Sequence, residues 1–304
     1  MHRFSVLMST YNGERFLREQ LDSILAQDNV DINLYIRDDG SSDNTVEIIN
    51  EYVSKHKNIF LFRGENLGYV KSFMWLVEKV GYEDGMFYAF ADQDDFWDSR
   101  KLVSAADMIC KEKSNEPILY YSDLDVVDVN LNYIRKGNVW EGSINRFMSL
   151  MFIGIRGCTI VYNSHLQSII LSSLPRYVSS HDGYIALLAF WTGRVIYDSN
   201  AYIKYRQTGN NTSITGVGKI DALKKNYMYF KKRFGKKAHE REFNAQSILE
   251  SYRKYISEPE LVEKVANYKE SWKNKRALLK DKRYFCFHRS INIANRIFIL
   301  FGKL

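Results

Sequence analysis

The sequence predicts an α/β protein with a Rossmann-like, mainly parallel sheet flanked by helices. Two observations carry that expectation. Residues 4–91 alternate short apolar runs rich in β-formers with segments of helical spacing, which is the pattern of successive βαβ units. Several of the strand-like runs end in a polar, turn-forming cluster, and ligands of such sheets sit beyond the carboxyl ends of the strands.

The elements follow in order. "FSVLMST" (4–10) is a continuous apolar run that stops at the turn signal "YNGE". "RFLREQLDSILAQ" then places Phe16, Leu17, Gln20, Leu21, Ile24 and Leu25 on one helical face. "INLYIRDDGSSDNT" (32–45) is a second strand ending in acids. Val46, Ile49, Tyr52 and Val53 mark a helix over 45–55. "NIFLFRG" (58–64) is a third strand, "GYVKSFMWLVEKV" (68–80) a helix and "MFYAFA" (86–91) a fourth strand. A helix is expected over 99–111, strands at 118–128, 156–163 and 193–199, and helices at 143–152, 164–173 and 182–191. From about residue 219 the chain reads as helical, with a break at Pro259.

Composition narrows the class. The chain has 304 residues, 45% hydrophobic and 26% charged, with only 3 Pro, which suits a large packed domain and argues against disordered linkers. Cys110, Cys158 and Cys286 are odd in number and have no metal-ligand spacing, so a reducing compartment is expected. Met1 leads quickly into a strand-like run, so no signal peptide is expected, and no apolar stretch is long enough to span a bilayer. Charge is uneven. Residues 219–304 hold 22 Lys/Arg against 9 Asp/Glu, whereas residues 1–218 hold 21 against 27. A mildly acidic body (1–218) therefore precedes a basic helical region (219–304), two expected domains. Neither a GxGxxG fingerprint after the first strand nor a Walker A motif is present, so a dinucleotide fold is a weak reading.

The chemistry-bearing residues cluster at three strand ends: Thr10–Glu14, Asp38–Asp43 and Asp92–Asp95. "YAFADQDDFWDS" packs Asp92, Asp94, Asp95 and Asp98 into a short run. Asp92 and Asp94 form an Asp-x-Asp pair. An extended chain would put both on one face, and a local turn would split them. A few hard oxygen ligands suit Mg²⁺ or Mn²⁺ shared with phosphates. Capping of helix 99–111 accounts for Asp98 and Ser99 and leaves Asp92 unexplained.

Taken in order, "SVLMSTYNGERFLREQLDSILAQ", "IRDDGSSDNT", "ENLGYVKSF" and "ADQDDFW" resemble the family 2 glycosyltransferases. "DQDDFW", "SHDGY" and "YRQTGNN" resemble its bacterial rhamnosyltransferase-like branch, which builds O-antigen and capsular polysaccharides. The resemblance covers roughly residues 4–215 and implies a GT-A fold and an inverting transfer from a nucleotide sugar. It implies L-rhamnose from dTDP-rhamnose, with a UDP-linked galactosyl or glucosyl donor as the alternative, and an oligosaccharide or lipid-linked saccharide acceptor.

Site roles are carried over on the same basis. Thr10, Tyr11 and Asn12, with Glu14 beside them, match the loop around the nucleotide base, where an aromatic offers a stacking face. Asp39 matches the acid that accepts the uracil or thymine imide N–H, while Asp38, Asp43 and Asn44 read equally as turn and cap residues. Lys71 is either a diphosphate contact near a helix N-terminus or a solvated lysine. Asp92 matches the acid near ribose and metal, and Asp94 the direct metal ligand. Asp182 in "SHDGYIAL" matches the base that deprotonates the acceptor hydroxyl, with an N-cap as the alternative, and His181 could orient it. In "YRQTGNN" Thr208 stands where related sequences carry His, so metal binding through this segment is doubtful; Arg206, Gln207, Asn210 and Asn211 remain as polar contacts. A catalytically lost nucleotide-binding scaffold is the reading from another class.

The basic region carries "KKNYMYFKKRFGKK" (224–237) and the apolar end "FCFHRSINIANRIFILFGKL" (285–304). Both suit an interfacial anchor on anionic lipid, on the inner face of a bacterial plasma membrane, or a solvated bundle with a basic face. Nucleic acid is not expected as a partner, because phosphate would be repelled from the acidic cleft.

Overall fold

The computed structural model describes the chain apart from residues 113–114, 138–143, 153, 174, 176, 209–230, 232–233, 236–237 and 286–288. It divides into two compact units. One comprises residues 1–143, 155–174 and 180–208; the other comprises 144–154, 175–179 and 209–304.

The first unit opens with the expected alternation. Strands β1 (His2–Thr10), β2 (Val30–Asp38), β3 (Ile59–Arg63) and β4 (Met86–Ala91) enclose helices α1 (Leu17–Leu25), α2 (Thr45–Lys55) and α3 (Tyr69–Val80). There follow β5 (Phe96–Trp97), α4 (Lys101–Lys111), β6 (Ile118–Val127), β7 (Tyr133–Lys136), β8 (Ile160–Asn163), α6 (Ser164–Leu171), α7 (His181–Thr192) and β9 (Arg194–Arg206), with the one-turn α5 (Arg146–Ser149) of the second unit intervening. The described sheet runs β3-β2-β1-β4-β8-β6-β9-β5, and β7 pairs with β6.

From β3 to β4 every pairing is parallel. Beyond β4 the sheet is mixed: β8 lies antiparallel between β4 and β6, and β5 pairs antiparallel with β9. Register decides where the polar ends fall. Thr10 lies opposite Asp38, and Met8 opposite Ala91, so the residues after β1, β2 and β4 emerge in a row.

Helix α1 shows why the sequence pattern works. Leu17, Leu21 and Ile24 pack into the core with Phe4, Val6, Met8 and Ile36 of the sheet. Gln20 is also fully buried on that face because its side-chain amide donates to the Asp92 carbonyl at 2.9 Å. A polar residue in an apolar stripe here ties the helix to an acidic strand end.

Several segments differ from their sequence pattern. Residues 157–159 form a 3-10 turn, and the strand begins only at Ile160. The strand expected at 193–199 continues to Arg206, because β6 pairs with it along that whole length. Only Arg146–Ser149 is helical among the described residues of 143–152. Short strands β5 and β7 carry too few residues for any periodicity to announce them.

Within the second unit the helices Glu240–Tyr252, Pro259–Ala266, Trp272–Lys280 and Arg289–Leu300 have a core of their own. Ile248, Val262, Leu278 and Phe298 are fully buried in it. Tyr268 Oη accepts the Leu304 backbone N–H at 2.9 Å, and Arg241 donates to Asn295 Oδ1 at 2.6 Å. Pro259 stands at the first turn of its helix, the position where a missing N–H costs least.

Candidate active site

The first strand end is a loop pinned from both sides. Thr10 is buried and its hydroxyl donates to Asp38 Oδ2 at 3.1 Å. Asn12 adopts a left-handed conformation (φ 48°); its N–H donates to Ser41 Oγ at 2.9 Å and its Oδ1 accepts from Ser42 N at 2.8 Å. Gln93 clamps the Tyr11 backbone, accepting its N–H at 2.8 Å and donating to its carbonyl at 3.0 Å. The Tyr11 ring itself is about half exposed, at 49%. Glu14 Oε2 accepts from Asn44 N at 2.9 Å and Asn44 Nδ2 at 2.7 Å, so Glu14 braces the start of α2.

The second strand end is largely satisfied internally. Asp38 accepts from Gly40 N, Ser41 N, Ser41 Oγ and Thr10 Oγ1. Asp39 accepts Leu67 N at 2.9 Å and Gly68 N at 2.8 Å and pairs with the buried Arg37. It thereby fastens the loop entering α3, where Lys71 is exposed. Its Oδ2 has one donor and retains capacity for another. Asp43 accepts Thr45 N at 3.0 Å and Thr45 Oγ1 at 2.5 Å at the head of α2. Burial would raise its carboxyl, but those hydrogen bonds outweigh burial and hold it below the usual carboxylate range.

The third strand end keeps its charge problem. A turn at Gln93–Asp94 interrupts the extended chain, so alternation does not hold. Among the described residues, Asp92, Asp95 and Cys158 bring ligand atoms within 4.8 Å of one another, and Asp94 is not part of that trio. Desolvation first, then the charges of Asp94 and Asp182, push the Asp92 carboxyl up to about 7. Asp94 is raised mainly by burial, with Arg206 opposing. Asp95 is fully buried, its Oδ2 lacks a hydrogen-bond partner, and burial plus Asp92 and Asp94 push it well above normal. Carboxylates this mutually repelled fit a divalent cation. Cys158 fits it poorly, because burial and the neighbouring acids keep its thiol protonated. With Cys158 set aside, the oxygen donors that lie together in this group are those of Asp92 and Asp95, and Asp94 stands outside it.

Asp182 lies in the first turn of α7, where helix N-termini favour anions. Its Oδ2 accepts Gly157 N at 3.1 Å and its Oδ1 accepts Gly183 N at 2.7 Å. The cap itself is Ser180, whose Oγ accepts Gly183 N at 3.2 Å, so Asp182 is not needed for that role. Asp182 is near enough to Asp92 for its charge to raise the Asp92 carboxyl. His181 is buried and stacks on Phe73, with ring centroids 4.1 Å apart. Neither of its ring nitrogens has a hydrogen-bond partner, and burial lowers its basicity against the pull of Asp182. A Cβ on Gly157 would stand 2.8 Å from His181 Nε2, so the absent side chain is what lets this loop approach α7.

Arg206 is committed to the protein. It is 1% exposed and donates to Glu19 Oε2 at 2.9 Å, Asp94 O at 3.0 Å and Val129 O at 2.5 Å, and it lies over the Phe16 ring. The expected phosphate contact is replaced by a brace beneath the Asp94 turn. Asn210 and Asn211 lie outside the described residues, as does most of 224–237. Sequence reasoning missed Gly157, Gln93 and the Asp95–Cys158 pair. Gln93 and Asp95 lay within the acidic motif, whereas Gly157 and the approach of Cys158 to Asp95 depend on long-range packing.

Comparisons with known proteins bear on the family and the fold. The model of glycosyl transferase family 2 matches residues 5–149. The dTDP-rhamnosyl transferase RfbG of Shigella flexneri is 38% identical over 111 residues, 36% of this chain and 38% of that one. A glycosyltransferase of Rickettsia typhi, RT0329, is 24% identical over 239 residues, covering 76% of this chain and 72% of the other. The crystal structure of S. aureus TarS 1–349 in complex with UDP superposes with TM-score 0.54 at 20% identity, covering 91% of this chain and 75% of that chain. That likeness identifies the fold as GT-A.

Proposed function

Residues 5–149 belong to glycosyl transferase family 2, and from that premise we propose that the chain is an inverting, metal-dependent glycosyltransferase of cell-surface polysaccharide synthesis. Its donor is dTDP-rhamnose and its acceptor a lipid-linked saccharide. The RfbG resemblance, which spans just over a third of either protein, supports this donor. Residues 1–218 serve as the catalytic domain and 219–304 as its basic helical extension.

One observation carries the reading: a carboxylate outside the acidic strand end, Asp182, is held by two backbone N–H groups close enough to Asp92 to perturb it. Inversion needs one such base opposite the leaving group. Asp182 takes the acceptor hydroxyl proton while that oxygen bonds to the anomeric carbon and the sugar–diphosphate bond breaks. Asp92 and Asp94 would hold Mg²⁺ or Mn²⁺, whose chemistry when bound is to neutralise the departing diphosphate. Tyr11 offers its half-exposed ring to the base, with Thr10, Asn12 and Glu14 shaping the loop. Asp39 accepts the imide N–H, and the exposed Lys71 meets the diphosphate.

Calorimetric titration with dTDP- and UDP-sugars, with and without Mn²⁺, tests this, followed by donor hydrolysis. The expected outcome is metal-dependent binding of dTDP-rhamnose and slow release of its sugar. Preference for a UDP-sugar would replace the donor; the TarS complexes with UDP and UDP-GlcNAc keep those donors in the panel. Nucleotide binding without sugar release would favour the scaffold reading, which Thr208 in place of His motivates.

A further inference from the structure

The last two helices of the second unit carry both an unusual charge and an unusual surface. Residues 271–304 contain 9 Lys/Arg and a single acid, Asp281. That acid is spent locally: it accepts from Arg283 and pairs with Lys264 at 3.3 Å, which depress it to about 2. Nothing in this segment offsets the remaining cations, and Lys273, Arg276 and Lys280 are exposed.

Large apolar side chains are exposed beside them. Helix Arg289–Leu300 has two apolar stripes. Phe298 and Ile299 are fully buried, whereas Ile293 is 50% exposed, Leu300 45% and the following Phe301 68%. Phe298 and Ile299 of the apolar end thus belong to the core, and the exposed stripe is Ile293 and Leu300, seven residues apart on one face. Trp272, 69% exposed, joins the same surface. Lys275 links them, since its Nζ lies 5.6 Å from the Trp272 ring centroid and donates to Leu300 O at 3.1 Å. Gly302, in the left-handed region (φ 67°), ends the helix: its N–H donates to Ile299 O and the Lys303 N–H to Phe298 O, which leaves Phe301 projecting at the corner.

We propose that this surface, centred on Trp272, Leu300 and Phe301, seats the protein peripherally on an anionic lipid bilayer. Aromatic side chains at the water–hydrocarbon boundary and lysines beside them are the combination such an interface favours. Each nearby Lys or Arg adds attraction to anionic headgroups, and salt screens it. A nucleic-acid partner would use the cations and leave Ile293 and Leu300 in water. No described helix is long and apolar enough to cross a membrane, so the contact lies in the interface plane. The inference does not depend on which sugar is transferred.

Co-sedimentation of the full chain with phosphatidylcholine vesicles, with and without phosphatidylglycerol, provides the test. The wild-type chain should bind the phosphatidylglycerol vesicles, and added salt should release it. The Trp272→Ser/Phe301→Ser double variant should partition at least about tenfold more weakly, with unchanged thermal unfolding. Lys273→Glu/Arg276→Glu, which leaves the apolar residues in place, should weaken binding to the anionic vesicles only. Absence of wild-type binding to phosphatidylglycerol vesicles would overturn the proposal. So would wild-type partitioning in Trp272→Ser/Phe301→Ser. A concentration-dependent dimer that this double variant dissolves would also overturn it, assigning the surface to a second copy of the chain.

Discussion

Two acid-rich strand ends flank β1, one after β2 and one after β4, and they have opposite fates. After β2, Asp38 takes two backbone and two hydroxyl donors, and Asp39 takes two backbone donors and a buried guanidinium. After β4, Asp92 is driven up to about 7 by burial and by two neighbouring carboxylates, and Asp95 keeps a buried oxygen without a partner. Buried charge is ordinarily matched inside the protein. Where it is matched, the acid is part of the scaffold. Where it is left unmatched, the cluster marks a candidate ligand site.

The largest effect is expected at Asp182, which sits beside the unmatched cluster. Asp182→Asn should lower turnover by about 10²–10⁴-fold, the usual range for loss of a general base. Donor affinity should stay near wild type, because the proposed nucleotide contacts lie elsewhere. Single-turnover kinetics on a variant with an unchanged melting temperature would check this, and wild-type rates would move the base away from Asp182.

The contrast itself is tested by paired substitutions. Asp94→Asn keeps the shape and removes charge from the unmatched cluster, so metal-dependent donor affinity should fall by about 10–100-fold with little change in stability. Asp38→Asn should do the reverse, costing about 1–3 kcal/mol of stability by stranding its donors while metal sensitivity persists. Calorimetry and denaturant unfolding read the two quantities separately. If both variants lose stability alike, the two clusters are not different in kind. Thr208→His belongs on the same axis: restoring the usual imidazole should tighten Mn²⁺ binding by a smaller factor, and unchanged affinity would show that this position has left the metal site.

How much of this was legible depends on how local each interaction is. The β1–β4 alternation and the buried face of α1 follow from residues a few positions apart, so periodicity exposes them. The three polar strand ends were legible for the same reason, since parallel strands must finish on one side. Their opposite fates were not, because Asp39 is matched by Leu67 and Gly68, far along the chain, whereas Asp95 meets Cys158. Arg206 is the clearest case. Its position in a polar motif suggested phosphate, yet Glu19 and the Asp94 carbonyl consume its donors. Gly157 carried no sequence signal, since its role is to have no side chain where His181 approaches.

The smallest effect sharpens the comparison from beneath the unmatched cluster. Lys101 is 1% exposed, and its ammonium nitrogen has no hydrogen-bond partner and lies 3.5 Å from the Trp97 ring centroid. Burial lowers it to about 7, although Asp95 and Cys158 pull the other way. It therefore does not act as a full counter-charge to the acids above it. Its pKa in the unfolded chain is near 10.5, so between that value and about 7 the unfolded state binds more protons than the folded state. Stability from this residue must then rise with pH across the window, and it is poorest at and below neutrality. Lys101→Met, similar in length and without charge, should raise the melting temperature by a few degrees near pH 7, with the gain shrinking toward pH 10. A gain that is independent of pH would mean that better packing, not relief of a buried charge, is responsible. A loss of stability at pH 7 would mean that Lys101 remains charged in the folded protein and that Asp95 is matched after all.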